Sequence, residues 1–204
     1  MRAHKTDHAG FDRTLLEHLR LNQVREAATD ALKTYGPEIY ALLASIHRAE
    51  DDAADVFSLF CEQLWKGLPG FAGRSSFRTW AYTLAWHASS RMRQQQATRR
   101  EVVISDSQFS SLAAAVRTST GSHLRKERRN RLRELRESLP SEDQVLLVLR
   151  VERELDWKDL SRVMNPDLEL DEDMLTREAA RLRKRFQSVK ERLRALINAD
   201  AAET

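Results

Sequence analysis

The sequence predicts an all-α protein made of two small helical domains. Apolar residues recur at helical spacing along most of the chain, and no stretch shows convincing strand alternation. Glycines number six and prolines four, while 32% of residues are charged, a composition that favours helices. The periodic stretches are separated by Gly/Pro pairs and by one long polar segment. Together these divide the chain into residues 1–97 (with an N-terminal extension over about 1–33), a flexible linker at 98–124 and a second domain at 125–204.

The elements follow in order. Leu15, Leu16, Leu19, Ala27, Ala28, Ala31, Leu32 and Tyr35 trace one long or broken N-terminal helix. Gly36-Pro37 is expected to stop it, with Gly at the C′ position and Pro at the next N1. Ile39, Leu42, Leu43 and Ile46 carry the second helix, and Val56, Leu59, Phe60 and Leu64 the third. Gly67-Leu68-Pro69-Gly70 ends the third helix, and Ser75 or Ser76 can cap a fourth that runs to about Gln95. The segment from about Ala97 to Leu124 is rich in Ser and Thr without sustained periodicity, which reads as a linker. Leu132, Leu135 and Leu139 make a short helix stopped by Pro140, and Ser141-Glu142-Asp143 starts another through Val151. Trp157, Leu160, Val163 and Met164 form a short helix before the Asn165-Pro166 turn. Leu175, Ala179, Leu182, Phe186, Val189, Leu193 and Leu196 define the last helix.

Composition excludes several classes of function. The single Cys61 rules out a disulfide framework and a Cys-rich zinc site. The six histidines show no HExxH or paired spacing, so no metal, cofactor or catalytic constellation is expected, and the chain is not read as an enzyme. No apolar run approaches the roughly 18 residues that a membrane span requires. The N-terminus lacks an apolar signal core, which points to the cytoplasm. Net charge is only +3, but it is strongly segregated. Segregation matters more than the sum, because local basic stripes attract phosphate.

The segregation is sharpest between Asp51 and Arg100. Asp51, Asp52 and Asp55 open the third helix, where they either compensate the helix dipole or form a docking surface for a basic partner. From Lys66 to Arg100 there are seven basic residues and no acidic one. Gly67-x-x-Gly70-x-x-Gly73-Arg74-Ser75 is not a phosphate-binding P-loop, because it lacks the Lys, the spacing and a preceding strand. It reads as a basic interhelical loop. On the fourth helix, Phe77, Trp80, Ala81, Leu84, Ala88 and Met92 make a core stripe. Arg78, Tyr82, Trp86, Ser89 and Arg93 lie on a second stripe about 100° away. Rings between arginines suit a single-strand platform, with bases stacked on the rings and phosphates on the arginines. The alternative is that Tyr82 and Trp86 pack against the N-terminal helices. The absence of acidic residues favours the nucleic-acid reading.

The C-terminal domain reads as a helix-turn-helix. Between Arg177 and Arg194 there are eight basic residues against two acidic ones. Arg177, Arg181, Lys184, Arg185 and Ser188 lie off the apolar seam and can enter a major groove. The alternative is a solvated flank of a near-heptad seam. The preceding turn, Asn165 to Asp173, holds five acids and no base. It is read either as a solvated loop or as a segment that folds back on Arg177, Arg181 or Lys184.

Two segments together resemble a known family. Asp55-Val56-Phe57-Ser58-Leu59-Phe60-Cys61-Glu62-Gln63-Leu64-Trp65 and Phe71-Ala72-Gly73-Arg74-Ser75-Ser76-Phe77-Arg78-Thr79-Trp80-Ala81-Tyr82-Thr83-Leu84-Ala85 are similar to region 2 of ECF-type (extracytoplasmic function) sigma factors of bacterial RNA polymerase. Leu135-Arg136-Glu137-Ser138-Leu139-Pro140 through the helix-turn-helix resembles region 4. The resemblance implies a factor that directs core polymerase to promoter DNA and promotes opening without chemistry of its own. It implies polymerase contacts at Asp51, Asp52, Asp55, Ser58, Leu59 and Glu62. It implies −10 element contacts at Arg74, Ser75, Arg78, Thr79, Tyr82, Trp86, His87 and Arg93. Arg177, Arg181, Lys184, Arg185 and Ser188 would meet the −35 element, and an anti-sigma factor is a further candidate partner. The family commonly has Asn where His87 stands and Gln-Glu where Ser58-Leu59 stand. An extended linker of the 27 residues at 98–124 reaches roughly 90 Å, enough to separate the two elements. The rival readings are a helix-turn-helix regulator that acts without polymerase and an all-helical interaction module.

Overall fold

The computed structural model describes residues 7–47, 49–94, 106–127 and 137–202. The chain is all-α. The expected short helix on Leu132 and Leu135, the resemblance at Leu135-Arg136 and the proposed boundary at 97/98 lie outside the described residues.

Helix α1 (His8–Arg20) starts at Asp7, whose carboxylate accepts the Gly10 N–H at 3.0 Å. It ends where Asn22 takes φ 58°, a left-handed conformation that Asn tolerates better than most residues. The long or broken N-terminal helix is therefore broken. Helix α2 (Val24–Ile46) continues straight through Gly36-Pro37, contrary to the stop expected there. Pro37 removes one backbone donor at a cost of about 3 kcal/mol. Burial of Leu32, Tyr35, Ile39, Tyr40, Leu42 and Leu43 along the helix offsets it. Gly36 serves close packing: a Cβ there would lie 3.0 Å from both Leu32 Cδ1 and Val116 Cγ1.

Val116 belongs to α5 (Ser107–Glu127), which lies along α2. This element is the main departure from expectation, because most of it falls in the segment read as a flexible linker. Its apolar face is sparse, Phe109, Ala113 and Val116 being the ones buried among the described side chains, so its periodicity is easily lost among serines and threonines. Phe109 meets Trp65 at 5.1 Å, and Asp106 caps the helix while pairing with Arg25 at 2.6 Å.

Helix α3 (Glu50–Gly67) and a 3-10 turn (Leu68–Gly70) lead to α4 (Phe77–Gln94). The C-terminal half comprises α6 (Ser141–Leu147), a π-helical turn (Val148–Glu152), α7 (Trp157–Met164) and α8 (Glu172–Ala202). Helices α7 and α8 pack as the expected helix-turn-helix, with Trp157 edge-on to Phe186 at 5.7 Å. The halves also pack together. One cluster of buried residues runs from Leu15 through Tyr82 and Trp86 to Val145, Leu149, Leu160 and Leu182. Helix α4 is consequently held on two sides, by α2 and α3 on one and by α7 on the other.

Candidate nucleic-acid and partner interface

The acidic start of α3 is placed as its spacing suggests. Glu50, Asp51 and Asp52 occupy the first turn, where their charge complements the helix N-terminus. Asp51 and Asp55 are exposed, and Asp52 is half-buried. Further along, the Ser58 hydroxyl donates to the Ala54 carbonyl at 3.0 Å, Leu59 packs partly against the core, and Glu62 pairs with Lys66. The stripe is therefore acidic at its N-terminal end and apolar or self-paired beyond Asp55.

The loop into α4 is shaped by the N-terminal extension. Gly73 has φ +67°, a conformation costly for residues with a Cβ, and Leu16 of α1 lies against it. Ser76 caps α4 by accepting the Thr79 N–H at 3.1 Å. Asp12 of α1 accepts the Phe77 N–H at 3.1 Å. Burial pushes the Asp12 carboxyl above the usual carboxylate range, and the bond from Phe77 opposes that shift. Phe11, Tyr35, Phe71, Phe77 and Trp80 form a connected set of rings beneath the loop. Arg74 projects from this rigid base with its side chain 85% exposed. The neighbouring Ser75 hydroxyl donates to the Ser76 carbonyl at 3.2 Å.

The second stripe of α4 is not an exposed platform in this conformation. Tyr82 is 0% and Trp86 5% exposed, and Thr79 and Ser89 are also buried. The expectation that Tyr82 and Trp86 lie on an open polar face is corrected. A helix covered on two sides needs two apolar stripes, and a sequence pattern cannot say which of two stripes is covered. Arg78 grips Glu38 at two points and donates from Nη1 to the Arg153 carbonyl at 2.9 Å. Its guanidinium also lies 5.5 Å from the Tyr82 ring centroid, and that of Arg93 lies 4.7 Å from Trp86. Burial pushes the Tyr82 phenol up, reinforced by the nearby Glu38 charge.

The acidic turn lies across this face. His87 is half-exposed, with Nε2 3.5 Å from the Asp167 carboxylate, and Arg74 lies 3.8 Å from Glu169. The fold-back onto Arg177, Arg181 or Lys184 is therefore corrected: these acids reach the other half of the molecule. Glu172 instead meets Lys158 of α7 at 2.5 Å.

On α8, Arg177, Arg181, Lys184 and Ser188 are exposed, and Arg181 is within 3.5 Å of Glu178 one turn away. Arg185 differs from the expectation that it is open to DNA. It donates to Glu142 at 2.6 Å and to Asp143 at 2.7 Å, and Arg192 reaches Asp143 at 3.4 Å. Asp143 is buried, so Arg185 supplies a counter-charge that fastens α8 to α6. Glu38, Asp12, Arg153 and Asp159 were not singled out from the sequence. The partners of Glu38, Asp12 and Arg153 lie far away along the chain, and no local pattern announces them, whereas Asp159 also pairs with Arg162 three residues on.

Among the described residues no group of His, Cys, Asp or Glu could hold a metal ion, and no helix is long and apolar enough to cross a membrane. No curated protein matches the chain. Residues 31–99, from within α2 past the end of α4, match the family model of sigma-70 region 2, so this portion of the chain is similar to the region of sigma-70 proteins that serves transcription initiation.

Proposed function

We propose that the protein is an ECF-type sigma factor that binds core RNA polymerase and opens promoter DNA. The observation that carries this reading is the sigma-70 region 2 match lying over the unit of acidic α3, basic loop and aromatic α4. In this reading Asp51, Asp52, Asp55, Ser58, Leu59 and Glu62 face the polymerase. Arg74, Ser75, Arg78, Thr79, Tyr82, Trp86, His87 and Arg93 serve the −10 strand. Arg177, Arg181, Lys184 and Ser188 read the −35 duplex, with Arg185 orienting α8. Polymerase supplies all the chemistry, no cofactor is used, and the protein acts in the cytoplasm. An anti-sigma factor is a candidate regulator.

The arginines suit this work because their fixed charge neutralises phosphate, while rings accept bases of any sequence. The test is transcription by core polymerase plus this protein on a genomic library, with start-site sequencing. Starts that share two upstream elements and depend on the added protein are expected. Specific promoter melting by the protein without polymerase would refute the proposal.

A further inference from the structure

We propose that, in the protein free of nucleic acid, the C-terminal half covers the strand-binding face of α4 and the acidic turn stands in for phosphate on it. The inference rests on the proposed strand-binding role of α4 and its loop. The covered part and the rim are built differently. In the covered part Tyr82 and Trp86 are buried in a cluster shared with Leu149, Leu160 and Val163. There the Arg78 guanidinium donates to the Arg153 carbonyl, and the half-buried Asp159 carboxylate of α7 lies beside Thr79 of α4. The π-helical turn and Glu154 at φ 56° shape the backbone on both sides of that carbonyl.

At the rim, Asp167 faces His87 and Glu169 faces Arg74, all four side chains substantially open to water. Carboxylates on an arginine and a histidine of a basic loop occupy positions that strand phosphates would take. Exposed pairs of this kind are weak individually, so a polyanion can displace them stepwise before the covered part opens. The placement also accounts for Asp167 and Glu169 beside a DNA-reading helix: they reach His87 and Arg74 rather than Arg177, Arg181 or Lys184, while Glu172 pairs with Lys158 and Asp171 caps α8.

The test follows the distance between spin labels on Ala114→Cys of α5 and Ala195→Cys of α8 in the full chain; both positions are exposed, whereas Cys61 is buried. The probe is a thymine-rich single-stranded oligonucleotide, with binding followed separately by fluorescence anisotropy. A single narrow distance is expected without the strand, and a longer one at saturation. Asp167→Asn with Glu169→Gln should lower the strand concentration for half-conversion by about threefold to tenfold. Asp159→Lys, which sets a cation against Thr79 and the Arg78 side of α4, should populate the longer distance without any strand. Its helical content and unfolding transition establish that it folds. Strand binding with no change in distance, or an Asp159→Lys distance unchanged from the parent, overturns the cover. A chain that shows the closed distance, opens with Asp159→Lys and binds neither the strand nor core polymerase overturns the functional reading, and with it the role assigned to the cover.

Discussion

Arg78 and Glu38, 40 residues apart, form a two-point ion pair, with Nε donating to Oε1 at 3.0 Å and Nη2 to Oε2 at 3.1 Å. The same guanidinium keeps a third hydrogen bond for the Arg153 carbonyl. One side chain thus ties α2 to α4 and α4 to the C-terminal half. Replacing Glu38 with Ala leaves a half-buried guanidinium without its counter-ion and should cost about 2 kcal/mol in urea unfolding. If Arg78→Leu with Glu38→Leu loses much less than the single variant, the penalty is that of the stranded charge.

Burial of Tyr82 and Trp86 sets an expectation for stability. Trp86→Ala should cost about 3–5 kcal/mol, and Tyr82→Leu should lower the thermal midpoint clearly. A Tyr82→Leu/Trp86→Leu protein that melts at the parent temperature would show that these rings are not part of the core.

Gly36 decides whether α5 can lie on α2. Val at this position would collide with Val116 and Leu32. Gly36→Val should loosen α5 and raise proteolytic cleavage within 107–127 in the native protein. Cleavage at the parent rate would show that the crossing tolerates a side chain.

Two histidines give the protein a mild sensitivity to acid. Burial lowers the pKa of His47, which bonds Ser89 at 2.8 Å, and the Arg93 charge adds to it. Burial likewise lowers the pKa of His8, which bonds Tyr35 at 2.9 Å. The unfolded chain protonates these rings near pH ~6.5 while the folded chain resists. Their contribution is therefore complete above that pH and is lost as the pH falls below it. The thermal midpoint should drop between pH 7.5 and 5.5, and His8→Gln/His47→Gln should flatten the slope. Asp12 acts in the opposite sense, since its raised pKa lets the folded state take up a proton first. Its window lies lower, just above the ordinary carboxylate range.

Arg74 is the most open of the candidate −10 contacts. Arg74→Gln should weaken strand binding at every sequence and reduce the salt slope by about 0.7, the value for one lost phosphate contact on a single strand. Stability should not change. A sequence-dependent loss with an unaltered slope would place Arg74 on a base instead.

The helices themselves were largely legible, because Val56, Phe60 and Leu64 or Leu175, Ala179 and Leu182 repeat at a period that only a helix satisfies. Placing each side chain as covered or open was not. Tyr82 and Arg78 share a stripe whose environment is fixed by Glu38 and Arg153, and nothing near Arg78 in sequence names either. The same holds for Arg185, which reads as a DNA contact until Glu142 and Asp143 come beside it. Helix α5 escaped because apolar side chains as widely spaced as Phe109, Ala113 and Val116 among serines fall below any pattern that local periodicity can reveal. The Gly36-Pro37 stop failed because tertiary packing outweighs one lost hydrogen bond.

The 21 residues of α5 rise about 1.5 Å each as a helix and span about 32 Å, whereas the same residues drawn out would span about 70 Å. The separation available between the two halves is thus an adjustable quantity, governed by how readily Phe109 and Val116 leave α2 and how readily the helix unwinds. In the proposed role, with one DNA-reading surface on each half, the stability of α5 would act as a ruler for the spacing between the two promoter elements.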